Sequence, residues 1–122
     1  MILASDLRIG NWVQRIGWPL QIVGIKGTDI WLDSKGYEFE HYFYDGINPI
    51  PITEDWLLKL GFHETQRMAK YVEFSINNDY FLRLPICKHL EKDYWYALRG
   101  EVKIKYVHQL QNLYHALTGE EL

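Results

Sequence analysis

Between Leu7 and Ile52 the apolar residues come in short runs cut by turn residues, the pattern of a small antiparallel sheet. The runs predict strands over residues 12–15, 20–25, 29–32, 37–43 and 50–52. Gly17, Gly27, Gly36 and Gly46 fall between them, where tight turns need positive φ. Five short strands at this spacing predict a small β-barrel of the Src-homology-three type.

The next stretch carries the punctuation of a short helix. Thr53 can cap the first free amides, Glu54 and Asp55 face the positive end of the helix dipole, and Gly61 can take the left-handed closing position. Trp56, Leu57, Leu58 and Leu60 spread over an arc of about 200°, so the helix is expected to lie between two layers.

Beyond a polar turn over residues 63–70, Val72, Phe74 and Ile76 alternate with Tyr71, Glu73 and Ser75, as in a strand with one buried face. The chain then turns through Asn77, Asn78 and Asp79 into a second strand over residues 80–84. A further pair, over residues 94–98 and 101–105, turns at Arg99 and Gly100, which makes a four-stranded meander. The last pattern is an amphipathic helix over residues 106–117, ended by Thr118 and Gly119. Tyr106, Val107, Leu110, Leu113, Tyr114 and Leu117 form its apolar stripe; His108, Gln109, Gln111, Asn112 and His115 form a ridge expected to face water. The fold class read from these patterns is α+β. A barrel subdomain (residues 1–52), a connecting helix (53–62) and a helix-covered β-meander (63–122) are expected to fold as one cooperative unit.

Composition narrows the function classes. The chain has 122 residues, 48% of them hydrophobic and 24% charged, which is ordinary for a globular protein of one domain. A core of that size needs neither disulfide nor metal. The single cysteine, Cys87, leaves no internal disulfide and no paired CxxC for structural zinc. The N-terminal residues lack the basic and long apolar regions of a signal peptide, and no run of 18 apolar residues exists to span a membrane. A cytoplasmic protein without membrane partners is expected. The net charge of -3 disfavours nucleic acid as a partner.

Three segments carry a resemblance: Leu7-Arg-Ile-Gly-Asn-Trp-Val13, Pro49-Ile-Pro-Ile-Thr-Glu-Asp-Trp-Leu-Leu-Lys-Leu-Gly-Phe62 and Val107-His-Gln-Leu-Gln-Asn-Leu-Tyr-His-Ala-Leu-Thr-Gly-Glu-Glu-Leu122. Together they resemble a family of small proteins from phages and prophages of Bacteroides-like gut bacteria. The chain departs from that family's pattern in its loops and at His115, where an aromatic residue is common. The resemblance implies a mobile-element origin and a cytoplasmic setting, and it transfers no catalytic residue. By analogy with other small phage accessory proteins it implies a host or phage protein as partner.

Aromatic residues make up 16% of the chain, and they suit recognition surfaces as well as cores. A strand over residues 37–43 sets Glu38, Glu40, Tyr42 and Tyr44 on one face. Residues 29–45 hold five acidic side chains against Lys35 alone. An acidic aromatic surface complements a basic protein patch and repels phosphate. It is the expected partner-binding surface, with His108, Asn112 and His115 as a second one.

The alternative is a weak single-stranded nucleic-acid-binding barrel, with bases stacked on Trp12, Trp18 and Trp31 and phosphates met by Lys103 and Lys105. His108 and His115 are seven residues apart, whereas two helical metal ligands need a spacing of four, so no metal or other cofactor is expected. Cys87 and His89 share a strand face, but no orienting group or oxyanion loop can be placed beside them. No phosphate-binding glycine loop, HExxH or GxSxG occurs. An enzyme is not expected.

Overall fold

The computed structural model describes residues 6–27, 29–33, 40–43, 46–78 and 82–122; along 40–43, 77–78 and 82–83 it describes the backbone alone. The chain divides into two compact units. The first comprises residues 1–51, 106–113 and 121, and the second residues 52–105, 114–120 and 122.

The first unit is an antiparallel meander of β1 (Trp12–Arg15), β2 (Trp18–Lys26), β3 (Asp29–Leu32) and β4 (Glu40–Phe43), paired in chain order. The closed barrel expected from the strand spacing is therefore corrected to an open sheet, with β1 and β4 at its edges. Residues 50–52, the expected fifth strand, make only an isolated bridge between Pro51 and Tyr106. Pro49 and Pro51 each lack a backbone N–H, so this segment cannot donate a continuous ladder to β1. Leu7, Val13, Ile22, Ile30, Leu32 and Ile47 form the unit's buried cluster, with Leu20 and Ile25 packed against it.

The second unit opens with α1 (Glu54–Lys59). Its N-cap is Thr53, whose hydroxyl accepts from the Trp56 amide at 3.2 Å. Within α1 only Leu57 is buried, and Leu58 is 57% exposed. The expected burial of a 200° arc is corrected: α1 buries a narrow stripe, and Lys59 lies over the Trp56 ring at 4.9 Å.

The sheet of this unit has five strands rather than the expected four, in the order β5 (His63–Met68), β6 (Tyr71–Asn78), β7 (Leu82–His89), β8 (Trp95–Ala97) and β9 (Val102–Ile104). The additional strand, β5, replaces the polar turn expected over residues 63–70. All six of its side chains are exposed, so it has no buried face to write an alternating pattern into the sequence. As an edge strand it is guarded by a register shift between Glu64 and Gln66 and by Arg67, which pairs with Glu64 and Glu54. Val72, Phe74, Leu84, Ile86, Trp95, Ala97 and Ile104 are buried, and Phe74 meets Trp95 edge to face at 5.9 Å.

Helix α2 (Val107–Thr118) contributes residues 107–113 to the first unit and continues into the second. Leu57→Ala should lower stability in urea by about 2–5 kcal/mol, the cost of a buried leucine, whereas Leu58→Ala should stay within about 1 kcal/mol. Equal losses would contradict the one-stripe burial of α1.

Candidate functional site

The polar ridge of α2 is buried at two of its five residues. His108 is 3% exposed and Gln111 fully buried. The Gln111 side-chain amide acts as a peptide group laid beside the start of β1: its Oε1 accepts from the Trp12 amide at 2.8 Å and its Nε2 donates to the Gly10 carbonyl at 3.1 Å. Asn112 is as fully used. Its Oδ1 accepts from Arg8 Nε and Asn11 Nδ2, both at 2.9 Å, and its Nδ2 donates to the Asp6 carbonyl. Arg8 extends the network to Glu121 at 2.7 Å.

The exposed ridge expected on α2 is thus corrected at His108 and Gln111, which are buried, the latter because its amide meets backbone groups about a hundred residues earlier; Asn112 is half-buried and tied mainly to side chains. His115, further along, is half-buried. His108 stacks on Tyr106 with ring centroids 6.0 Å apart, and its buried Nδ1 has no hydrogen-bond partner. Burial pushes its pKa below the usual histidine range, against a weaker upward pull from Asp6.

Two surfaces on the described residues are open to a partner. The first is the tip of the β1–β2 hairpin, where Arg15 pairs with Trp18 around the two-residue turn Ile16-Gly17. Both turn residues have positive φ, 50° at Ile16 and 80° at Gly17. Such turns match the strand twist and favour Asn-Gly or Asp-Gly. A β-branched residue there is a genuine outlier, costing about 1–3 kcal/mol. Ile16 is nonetheless 79% exposed and Trp18 72% exposed, so neither side chain repays that cost by packing within the described chain. The sequence signal was an isoleucine directly before the turn glycine, flanked by Arg and Trp.

The second surface is the face of the five-stranded sheet opposite Val72, Phe74, Ile86 and Trp95. Register sets Glu73, Cys87, Tyr96 and Lys103 side by side across β6 to β9, with Tyr71 beside His89 in the next row. His89 meets Tyr71 edge to face at 5.8 Å and stacks with Tyr96 at 5.9 Å. Lys103 lies over the Tyr94 ring at 4.9 Å, and Lys105 pairs with Asp93 at 3.2 Å. The Tyr71 hydroxyl donates to Cys87 Sγ at 2.9 Å, and this bond with burial pushes the phenol pKa up. Burial likewise raises the Cys87 thiol pKa, with a smaller opposing effect from the Tyr71 bond. Thr65 donates to Glu73 at 2.7 Å and fixes that carboxylate.

The remaining residues singled out from the sequence are dispersed. Glu38 and Tyr44 lie outside the described residues. Glu40 and Tyr42 belong to β4, where the backbone register sets them opposite Leu32 and Ile30. Trp12 is half-buried, and Trp31 lays its ring over Gly24. The three tryptophans belong to the first unit and Lys103 and Lys105 to the second. Among the described residues no group of three His, Cys, Asp or Glu could hold a metal ion, and no helix is long and apolar enough to cross a membrane. No family model, no curated protein and no solved structure matches the chain.

Asn112→Ala removes the acceptor shared by Arg8 Nε and Asn11 Nδ2 and the donor to the Asp6 carbonyl, and should cost about 1–3 kcal/mol in a urea titration. A loss within about 0.5 kcal/mol would mean that water replaces the amide. The His108 shift fixes a pH dependence as well. Its folded pKa is depressed, so the unfolded chain takes up the proton first. The stability contributed by the neutral imidazole is full above about pH 6.5 and declines as pH falls below it. His108→Phe should flatten the change in urea midpoint between about pH 7.5 and 5.5; an unaltered slope would assign the dependence to another group.

Proposed function

We propose that this chain is a non-catalytic binding protein of phage or prophage origin that docks on a host protein through the β1–β2 hairpin tip. The observation that carries this reading is the exposed isoleucine held at positive φ beside an exposed tryptophan. Local energetics favour Asn at position 16 for both the turn and its solvation. An apolar, strained residue at the tip is explained when a partner buries it, because strain at exposed turns marks functional contacts. Tryptophan is among the residues that most often anchor protein interfaces.

Charge supports a partner with a basic surface. The first unit holds seven acidic residues against four basic ones, which accounts for the whole net charge, and the second is balanced. The acidic segment over residues 29–45 therefore lies in the same unit as the tip, and Glu38, Glu40, Tyr42 and Tyr44 are its candidate contacts. Acidic residues of this kind steer association more than they hold the complex. The resemblance to phage and prophage proteins supports a cytoplasmic host target, such as a component of a defence system. The short turns and meander order of the first unit support kinship with Src-homology-three-like sheets as part of the same proposal.

The test uses tagged wild-type protein, Trp18→Ala and Ile16→Asn for capture from lysate of a Bacteroides-like bacterium, with recovered proteins quantified by mass spectrometry. A specific partner should be recovered at least tenfold less by both variants, as expected for a loss of about 1.4 kcal/mol or more. Ile16→Asn should also raise the melting temperature by relieving the turn, so weaker capture cannot be ascribed to unfolding. Equal recovery by all three proteins would sink the reading.

A further inference from the structure

We infer that the open face of the five-stranded sheet binds single-stranded nucleic acid, with bases stacked on Tyr71, His89, Tyr94 and Tyr96 and phosphates met by Lys103 and Lys105. This site is separate from the hairpin tip and does not depend on the docking reading. It differs also from a platform of tryptophans, because rings and cations here belong to one sheet of one unit.

The arrangement follows from register. Tyr71, His89 and Tyr96 occupy neighbouring positions on three adjacent strands and already contact one another ring to ring at 5.8–5.9 Å. Tyr94 lies on the same side, since the Lys103 ammonium reaches its ring. None of these rings is fully buried, and His89 is exposed. Four aromatic side chains on a wet sheet face do not serve the core, whose residues point the other way. Unstacked bases are what such a face accommodates without sequence preference.

Charge fixes which way a strand would lie. Lys103 is on β9 and Lys105 directly follows that edge strand, while Glu73 is on β6, three strands away or about 14 Å at ordinary strand spacing. Phosphates would run along the lysine edge and be repelled from Glu73. The Glu73 carboxylate, held by Thr65, suits the exocyclic amino group of a base. The Lys105–Asp93 pair is a surface contact, with Asp93 80% exposed, so exchanging the aspartate for a phosphate costs little. The acidic excess that disfavours nucleic acid for the whole chain resides in the first unit, and the second carries nine basic and nine acidic residues.

The test is fluorescence anisotropy of a labelled mixed-sequence 12-nucleotide single strand, as DNA and as RNA, titrated with the full chain at low and at moderate salt. Saturable, salt-sensitive binding is expected, at least tenfold tighter than to a duplex of the same length, whose bases are not free to stack. Lys103→Gln with Lys105→Gln should reduce the slope of log affinity against log salt by about 1.4. Tyr71→Leu with Tyr96→Leu should weaken binding at least tenfold, while Trp18→Ala leaves it unchanged. The lysines are exposed and their replacement preserves the core, so the slope remains readable even if the tyrosine variant unfolds. Absence of saturable binding at low salt, equal affinity for duplex, an unchanged slope, or loss of binding in Trp18→Ala would each overturn the inference.

Discussion

The first unit depends on one buried side-chain amide. At the start of β1 one edge is paired with β2 and the other has no strand, and a buried peptide N–H or carbonyl left unmade there costs about 1–3 kcal/mol. Gln111 serves that outer edge, accepting from the Trp12 amide and donating to the Gly10 carbonyl, to which Gln21 Nε2 also donates at 3.0 Å. Asn112, one residue on, ties the flanking side chains instead, accepting from Asn11 and Arg8 while donating to the Asp6 carbonyl. The first turns of α2 thereby stand where a barrel would have placed another strand. At that point the unit needs no closing strand because one helical side chain, Gln111, imitates a peptide group of one.

That substitution explains why the sequence misleads at this point. A polar ridge of His, Gln and Asn opposite a Leu and Tyr stripe has the pattern of a wet helix face, and periodicity cannot distinguish water from a distant backbone as its partner. Residues 8–12 and 111–112 meet only in the folded chain. The α1 segment is different, since its Thr53 cap, acidic first turn and Gly61 stop are all local, and its position is legible from the nine residues 53–61. Even there the depth of burial is a tertiary outcome: Leu57 is buried and adjacent Leu58 is not. Strand β5 leaves no trace in the pattern because an edge strand wet on both faces has no period to display.

The candidate surfaces were legible in unequal measure. The alternation that sets Tyr71 and Glu73 apart from Val72 and Phe74 is visible in the sequence, as is the shared face of Cys87 and His89. Their assembly into one aromatic field requires the register across β6 to β9, which local alternation leaves undetermined. At the hairpin tip, glycine identified the turn, but the positive φ of Ile16 depends on the two-residue connection between Arg15 and Trp18. A longer loop would have let isoleucine keep an ordinary backbone conformation.

The second unit supplies an internal comparison for that tip. Leu98 and Arg99 also take positive φ, 52° and 58°, in the turn that leads to β9. Neither branches at Cβ, so the crowding that makes the left-handed conformation costly for isoleucine is milder for both. Leu98 is moreover 39% exposed, about half the exposure of Ile16. A left-handed residue alone is therefore insufficient to mark a contact. What sets Ile16 apart is the coincidence of β-branching, 79% exposure and an exposed tryptophan that closes the same two-residue turn as the first residue of β2. Each of these opposes stability or solubility in the isolated chain, and burial against a partner relieves the exposure of both side chains at once.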